Sequence, residues 1–175
     1  MKNAEIDLLL RKIASGDNAA FARLYERTSR GVFSFLYTYL GNYADAQDAV
    51  QTVYLKVKTG IASYRAGTNG RAWLLQIAKN HALNELKKAK RLTSLEDVQE
   101  KELAVHIDEV GGTGVMQTME RVLFEEERRI VTLHVLWGYK HREIAAFLAC
   151  PTGTVTSKYK RAIAKFKKAI KEEGR

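Results

Sequence analysis

The chain has 175 residues, enough for one domain or two small ones, and 46% of them are hydrophobic. Its 29 basic residues exceed its 20 acidic ones, and the net charge of +9 favours a polyanionic partner, either nucleic acid or an anionic membrane surface. A single cysteine excludes an internal disulfide, and no apolar run approaches the roughly 18 residues of a membrane span. The first residues show no signal-peptide pattern, so we expect a cytoplasmic protein.

The N-terminal half has apolar residues at helical spacing, and the single proline is compatible with an almost entirely helical chain. Asn18 is a candidate N-cap for the second helix, and Gly41 followed by Asn42 ends that helix. Three glycines mark a loop over residues 60–70. The predicted helices are Ile6–Ala14, Asn18 to Tyr39, Ala44–Lys58 and Arg71–Lys90. The apolar residues expected to face the core are Ala46, Val50, Val53, Tyr54 and Val57 on the third helix and Trp73, Leu74, Ile77, Ala78, Leu83 and Leu86 on the fourth.

The segment from Leu92 to Thr118 is acidic, with six acidic residues against one lysine. Its net charge is −5, which leaves +14 for the remainder of the chain. About 25 residues is long for a loop inside one compact domain, although a solvated surface loop remains the alternative. The composition predicts an all-α protein in which a flexible acidic linker joins two basic helical domains, residues 1–91 and 119–175.

After the linker, four more helices are predicted, and the last two have the pattern of a helix-turn-helix. Ile144, Ala145 and Leu148 form an apolar stripe, and Ala145 is small enough to let a second helix cross closely. Pro151 can begin the next helix, and Val155 is expected to pack between the two. The four predicted helices are Val115–Leu123, Glu125–Trp137, Lys140–Leu148 and Thr152–Lys171.

The outer face of the last helix combines hydroxyl side chains with cations, which suit base edges and phosphates. The alternative is an ordinary helical hairpin with a solvated basic face. The candidate DNA-binding residues of this helix are Thr154, Thr156, Ser157, Lys158, Lys160, Arg161 and Lys165.

A second basic surface follows the fourth helix, where asparagine side chains can hydrogen-bond to exposed bases and an aromatic ring can stack on them. Trp73 is expected to belong to the core instead. A solvated, cationic helix end is the alternative interpretation of this cluster. The candidate DNA-binding residues here are Tyr64, Arg71, Lys79, Asn80, Asn84, Lys87, Lys88 and Arg91.

Three motifs occur in order: Asp45–Tyr54 (DAQDAVQTVY), Arg71–Asn80 (RAWLLQIAKN) and Cys150–Lys158 (CPTGTVTSK). In this order, with a variable linker between the last two, they resemble the motifs of extracytoplasmic-function (ECF) sigma factors, the initiation subunits of bacterial RNA polymerase. The resemblance covers nearly the full length. It implies an N-terminal domain that melts and reads the promoter −10 element, and a helix-turn-helix domain that reads the −35 element.

The resemblance also implies roles for particular residues. Residues 62–70 and Asn80 would form a pocket for a flipped base of the non-template strand. Thr156, Ser157, Lys160 and Arg161 would meet the −35 major groove, and the linker would thread through the polymerase. The polymerase partners would be the clamp helices of the largest subunit and the flap. The face that docks on the clamp helices would be Asp45, Asp48 and Gln51.

Some positions depart from the family pattern. Gln47 and Thr52 stand where the family usually has Glu, so the expected polymerase-facing surface is less acidic than usual. Thr156 and Lys158 stand where Arg is common, and Lys lacks the bidentate fork of Arg.

Two other classes of function are alternatives to the sigma-factor interpretation. A stand-alone helix-turn-helix regulator would bind DNA without polymerase, but it does not account for the Asp45–Tyr54 motif. An enzyme is disfavoured because Cys150 reads as an apolar turn residue and the four histidines are scattered without metal-ligand spacing. We therefore expect no cofactor, no metal and no small-molecule substrate. Family resemblance adds an anti-sigma factor as a partner, which could hold the chain at a membrane.

Overall fold

The computed structural model describes residues 3–93 and 113–173, and these residues are almost entirely α-helical. The chain divides into an N-terminal unit and a C-terminal unit, Met1–Glu102 and Leu103–Arg175. Most of the predicted acidic linker, residues 94–112, lies outside the described residues. The all-α expectation is thus confirmed over the described part of the chain.

The N-terminal unit contains four α-helices, which meet the expected elements with small shifts at their ends. A one-turn 3₁₀ helix, Ile61–Ser63, occupies part of the stretch that was expected to be loop throughout. The α-helices are α1 Asn3–Ala14, α2 Asn18–Leu40, α3 Tyr43–Gly60 and α4 Gly70–Thr93.

The ends of α2 follow from local backbone chemistry. The expected cap Asn18 is already the first helical residue, and Asp17 is the N-cap instead, accepting a hydrogen bond from the Ala20 N–H at 2.9 Å. Gly41 ends the helix with φ of 65°, a left-handed conformation that glycine adopts without steric cost. Asn42 then caps α3 by accepting from the Asp45 N–H at 3.0 Å.

The core of the N-terminal unit lies where α2 packs against the other three helices. Phe35 and Leu36 of α2 and Leu74 of α4 are fully buried. The five residues predicted for the inner stripe of α3 are all buried, namely Ala46, Val50, Val53, Tyr54 and Val57. On α4 the prediction was less complete. Leu83, which was expected to be buried, is 37% exposed, whereas Leu75 and Ala82, which were not predicted, are fully buried.

The C-terminal unit contains α5 Thr113–Val122, α6 Glu125–Val135, α7 His141–Leu148 and α8 Thr152–Glu173. Helix α5 begins inside the range that the sequence assigned to the linker. Long helix α8 packs against α5, α6 and α7. Trp137, Ile144 and Val155 are at most 1% exposed, so the predicted packing of Val155 at the helix-turn-helix crossing is confirmed.

Candidate DNA and polymerase interfaces

The turn between α7 and α8 fixes how the helix-turn-helix presents its last helix. Ala149 ends α7 with φ of 55°, the single positive φ among the described non-glycine residues. The Cys150 N–H donates to the Ala145 carbonyl at 3.0 Å, which closes the turn before Pro151. Because Ala145 and Val155 are buried at the crossing, the opposite face of α8 is turned to solvent.

The first turns of α8 carry the predicted hydroxyl and basic side chains. Ser157, Lys160 and Arg161 are exposed, whereas Thr154 and Thr156 are half-buried. The Thr156 hydroxyl lies 3.1 Å from Nδ1 of His141, and the Ser157 hydroxyl donates to the Thr154 carbonyl at 3.1 Å. A hydroxyl that donates internally keeps acceptor capacity for a base or sugar donor.

Two lysines that the sequence placed on the DNA-facing surface are engaged within the unit. Lys158 forms an ion pair with Glu126 of α6, and Lys165 forms one with Glu127 at 2.8 Å. The side chain of Glu127 is only 4% exposed, so its carboxylate depends on partners inside the protein. No local pattern predicts these pairs, because their partners lie more than 30 residues apart in the chain.

Glu127 is held by two donors. Burial alone raises the pKa of its carboxyl, but the hydrogen bonds from Lys165 and from the Phe124 N–H outweigh burial, and the pKa lies below its usual value. The Phe124 bond, 3.1 Å long, also caps the start of α6. The Phe124 ring is 74% exposed and lies 4.3 Å from Nζ of Lys165, within cation–π range.

Two histidines that seemed scattered in the sequence meet in the fold. The rings of His134 and His141 have centroids 5.1 Å apart, and the Tyr159 ring lies against both. Burial lowers the pKa of His141, and the neighbouring His134 and Lys160 lower it further. Over residues 3–93 and 113–173, no three His, Cys, Asp or Glu side chains are arranged to hold a metal ion.

In the N-terminal unit, the exposed face of α4 carries Asn80, Asn84, Lys87, Lys88 and Arg91. The carbonyl oxygen of the Asn80 side chain accepts a hydrogen bond from the Gln76 amide at 2.8 Å, which orients the Asn80 amide. Lys79 is half-buried, and burial lowers its pKa.

A groove between α3 and α4 continues this basic face. It is lined by Thr52 and Lys56 of α3 and by the α4 residues His81, Asn84, Glu85, Lys87, Lys88 and Arg91. Nζ of Lys56 lies 3.3 Å from Nδ1 of His81. Glu85 pairs with Lys88 at 2.8 Å and is the one acid among the groove-lining residues. Lys56 extends the positive surface onto α3, which the sequence analysis did not foresee.

Tyr64 and Arg71, both predicted to contact DNA, are each only 8% exposed. Tyr64 packs its ring 5.2 Å from that of Trp73 and donates its hydroxyl hydrogen bond to Asp7 of α1. Burial raises the pKa of Tyr64 to about 12, and the bond to Asp7 adds to the rise. Burial leaves these two side chains little surface for DNA.

The outer face of α3 carries Asp45, Asp48 and Gln51, all exposed as the sequence predicted. Leu55 lies seven residues after Asp48, on the same side of the helix, and is 64% exposed. The spacing in the sequence could have identified Leu55, since it falls outside the buried stripe of α3.

None of the helices in the described part of the chain has the length and apolar character to cross a membrane.

Two family descriptions match the chain, one in each unit. Sigma-70 region 2 matches residues 24–92, and Sigma-70, region 4 matches residues 117–166. The ECF RNA polymerase sigma-E factor of Escherichia coli K12 is 30% identical over 171 residues, which cover 89% of this chain and 88% of that protein. The RNA polymerase sigma-H factor of Pseudomonas aeruginosa is 27% identical, over 93% of this chain and 92% of that protein.

Solved structures share the fold. CnrH, solved in complex with the cytosolic domain of CnrY, gives a TM-score of 0.63 at 21% identity, over 96% of this chain and 98% of that one. The sigma factor RpoE from Bartonella quintana, solved with the anti-sigma factor NepR, gives a TM-score of 0.67 at 22% identity, over 86% and 96%. With matches to both sigma regions and a relative at 30% identity over most of its length, the chain belongs to the ECF family of RNA polymerase sigma factors.

Proposed function

We propose that the two units divide promoter recognition, residues 1–91 reading the melted −10 element and residues 119–175 reading the −35 duplex. The observation that carries the proposal is the two-sided character of α8. Val155 is fully buried against the rest of the helix-turn-helix, while Ser157, Lys160 and Arg161 face solvent. A helix held in this way can enter the major groove and bring its cations to guanine edges or phosphates.

In the N-terminal unit, the DNA surface is proposed to be the exposed face of α4 together with the loop that precedes it. Asn80 and Asn84 supply amides for base edges, and Lys87, Lys88 and Arg91 supply phosphate contacts. The loop side chains from Arg65 to Asn69, all exposed, border the proposed pocket for the flipped base. Tyr64 and Arg71 support this surface from beneath.

The polymerase-binding surface is proposed to be the outer face of α3. Asp45, Asp48 and Gln51 offer acceptors to basic residues, and Leu55 offers an apolar contact at the same face. Because the DNA surface lies mainly on α4, substitutions in the two surfaces should separate the two activities.

Two variants test this division. Arg161→Ala is expected to weaken binding of duplex promoter fragments by about 5- to 150-fold while the chain still joins core polymerase. Asp48→Lys is expected to weaken binding to core polymerase and to leave duplex binding by the purified chain unchanged. The DNA probes are genomic fragments enriched by the wild-type holoenzyme, and Lys167→Ala, at an exposed position farther along α8, is the control for Arg161. Loss of both activities in either variant would contradict separate surfaces.

We also propose that an anti-sigma factor sequesters the chain and keeps it in the cytoplasm, either in solution or at a membrane. CnrH and RpoE, which share the fold, were each solved with such a partner or with a cytosolic domain of one. Affinity capture of the tagged chain from its own organism tests this. A captured protein that core polymerase displaces would support sequestration, and a captured protein that joins the holoenzyme would contradict it.

A further inference from the structure

Helix α1 holds the loop over residues 64–70 through one carboxylate. Oδ1 of Asp7 accepts a hydrogen bond from the Tyr64 hydroxyl and another, 2.8 Å long, from the Gly67 N–H. Gly67 has φ of 80°, so the carboxylate fixes the loop at its left-handed turn. The Tyr64 bond, followed by the Gly67 bond, lowers the pKa of Asp7 below its usual value, as expected for a carboxylate that accepts both bonds.

The same helix also fixes the end of the loop. Oδ1 of Asn3 accepts from the Arg71 N–H at 3.1 Å, in the first turn of α4. Leu10 packs so closely that a Cβ at position 70 would lie 3.0 Å from its Cδ1, which explains why glycine occupies that position. Helix α1 therefore contacts the loop backbone near its middle and just after its end.

Between these anchors, the loop has further restraints. The Asn3 side-chain amide donates to the Thr68 carbonyl at 3.5 Å, and the Asn69 side chain caps α4 by accepting from the Ala72 N–H at 3.0 Å. From residue 64 to residue 69 the only buried side chain is that of Tyr64, and residues 65–69 are all exposed. The Thr68 hydroxyl bonds to the Arg65 carbonyl at 2.6 Å, which tightens the turn without tying it to the core. The Asp7–Gly67 bond, at 2.8 Å and to a charged acceptor, is thus the shorter and stronger of the two links from α1 to the exposed residues 65–69.

We propose that Asp7 is a positioning residue for base recognition in the −10 element, acting through Tyr64 and the Gly67 backbone. This inference rests on the proposed function, in which the 64–70 loop receives a flipped base. A pocket that reads a base by hydrogen bonds must be held to within a fraction of an ångström, and loops achieve this only when a supporting contact restrains them. Asp7 supplies that contact from a helix that does not itself touch the base.

The test measures base selectivity in the assembled holoenzyme. Core RNA polymerase of the source organism is combined with wild-type chain, Asp7→Ala, Asp7→Asn, Tyr64→Phe or Glu5→Ala, and each complex selects from a library of short single-stranded DNA of random sequence. Glu5 is the matched control, because it lies on the same helix but pairs with Arg27 instead of the loop. Sequencing of the bound DNA gives the enrichment of each base at each position.

We expect the wild type and Glu5→Ala to select the same bases. Asp7→Ala should lower the enrichment at one position from about tenfold toward onefold, because the pocket is no longer held in shape. Tyr64→Phe removes one of the two donors and should give a smaller loss. Asp7→Asn should retain most of the selectivity, since an amide oxygen can accept the same two hydrogen bonds.

Hydrogen exchange of the same variants distinguishes a local change in the loop from misfolding of the unit. The amides of residues 65–69 should exchange faster in Asp7→Ala, while the buried core of α2 stays as protected as in the wild type. If Asp7→Ala loses protection throughout α2, that variant is misfolded. The inference is then tested by comparing the base selectivity of Tyr64→Phe with that of Asp7→Asn. Wild-type selectivity in Tyr64→Phe or Asp7→Ala would overturn the inference, as would equal losses in Asp7→Asn and Asp7→Ala. Absence of selectivity in the wild type itself would instead contradict the proposed function.

Discussion

The ion pair between Lys165 and Glu127 is predicted to be a main link between α8 and α6. Replacing Lys165 by Met keeps the apolar stem of the side chain but removes its charge. The Glu127 carboxylate, which is 4% exposed, then keeps the Phe124 N–H as its remaining hydrogen-bond donor among the described bonds. A hydrogen bond to a charged group contributes about 1.5–3 kcal/mol. The Lys165 side chain is 36% exposed, so we take the lower part of this range, about 2 kcal/mol.

The assay follows unfolding of the C-terminal unit alone. The chain has two tryptophans, and in a Trp73→Phe background the fluorescence of Trp137, which is 1% exposed, reports that unit. Lys165→Met should lower the free energy of unfolding by about 2 kcal/mol, whereas Lys167→Met, at an exposed position of the same helix, should change it by less than about 0.5 kcal/mol. Equal stability of the two variants would refute the reasoning.

The pH dependence of the free energy of unfolding is a second test of this prediction. The folded-state pKa of Glu127 lies below the model-compound value of 4.5, so the pair's stabilisation is fully present above about pH 5. It is lost as the pH falls through the lowered folded-state pKa. This acid-dependent loss should be smaller in Lys165→Met, because the interaction that lowers the pKa is gone.

The salt dependence of DNA binding separates this structural role from DNA contact. Lys165→Met removes the charge at position 165, and its binding to duplex DNA is compared with that of the wild type. If Lys165 serves only the pair, the salt dependence of DNA binding should match the wild type. If Lys165 contacts a phosphate, the slope of log K against log salt should fall by about one.

Three further predictions concern backbone geometry and titration. Ala149→Gly should stabilise the C-terminal unit by about 0.5–1 kcal/mol in thermal unfolding. Glycine relieves the strain of the left-handed backbone at φ of 55°, and this gain exceeds the entropic cost of glycine in the unfolded chain. A destabilised variant would contradict this prediction. Gly70→Ala should destabilise the N-terminal unit by about 1–2 kcal/mol, because the new methyl would meet Leu10 at 3.0 Å, whereas Gly60→Ala, which meets nothing within 4 Å, should not. The C-terminal unit should lose stability as the pH falls below 6.5, since His141 has a lowered folded-state pKa. His141→Gln should flatten that loss in urea titrations between about pH 5.5 and 7.5, about one unit on either side of 6.5.

Local patterns in the sequence predicted the helices and the buried face of α3 well. Periodicity alone fixes which side of a helix is apolar, so all five residues of the α3 stripe are buried as expected. Helix ends were less exact, since Asp17 and Asn18 are both good caps and only the backbone conformation distinguishes them. The helix-turn-helix followed from short-range signals around Pro151 and was confirmed.

The candidate site was harder to predict wherever distant segments meet. Tyr64 and Arg71 are buried, which nothing in their own neighbourhood predicts, and the Tyr64 hydroxyl bonds to Asp7, 57 residues away in α1. The ion pairs of Lys158 and Lys165 could not be predicted either, because their acidic partners belong to α6. In each case a long-range contact determines the role of a charged or aromatic side chain, and the periodicity of its own helix carries no information about that contact.

The most direct test of the central claim is whether the purified chain forms a stoichiometric complex with core RNA polymerase at moderate salt on a sizing column. An ECF sigma factor should co-migrate with core polymerase, and Asp48→Lys should migrate alone. A chain that binds duplex DNA but stays separate from core polymerase, while forming a dimer of its own, would contradict the account and support a stand-alone regulator.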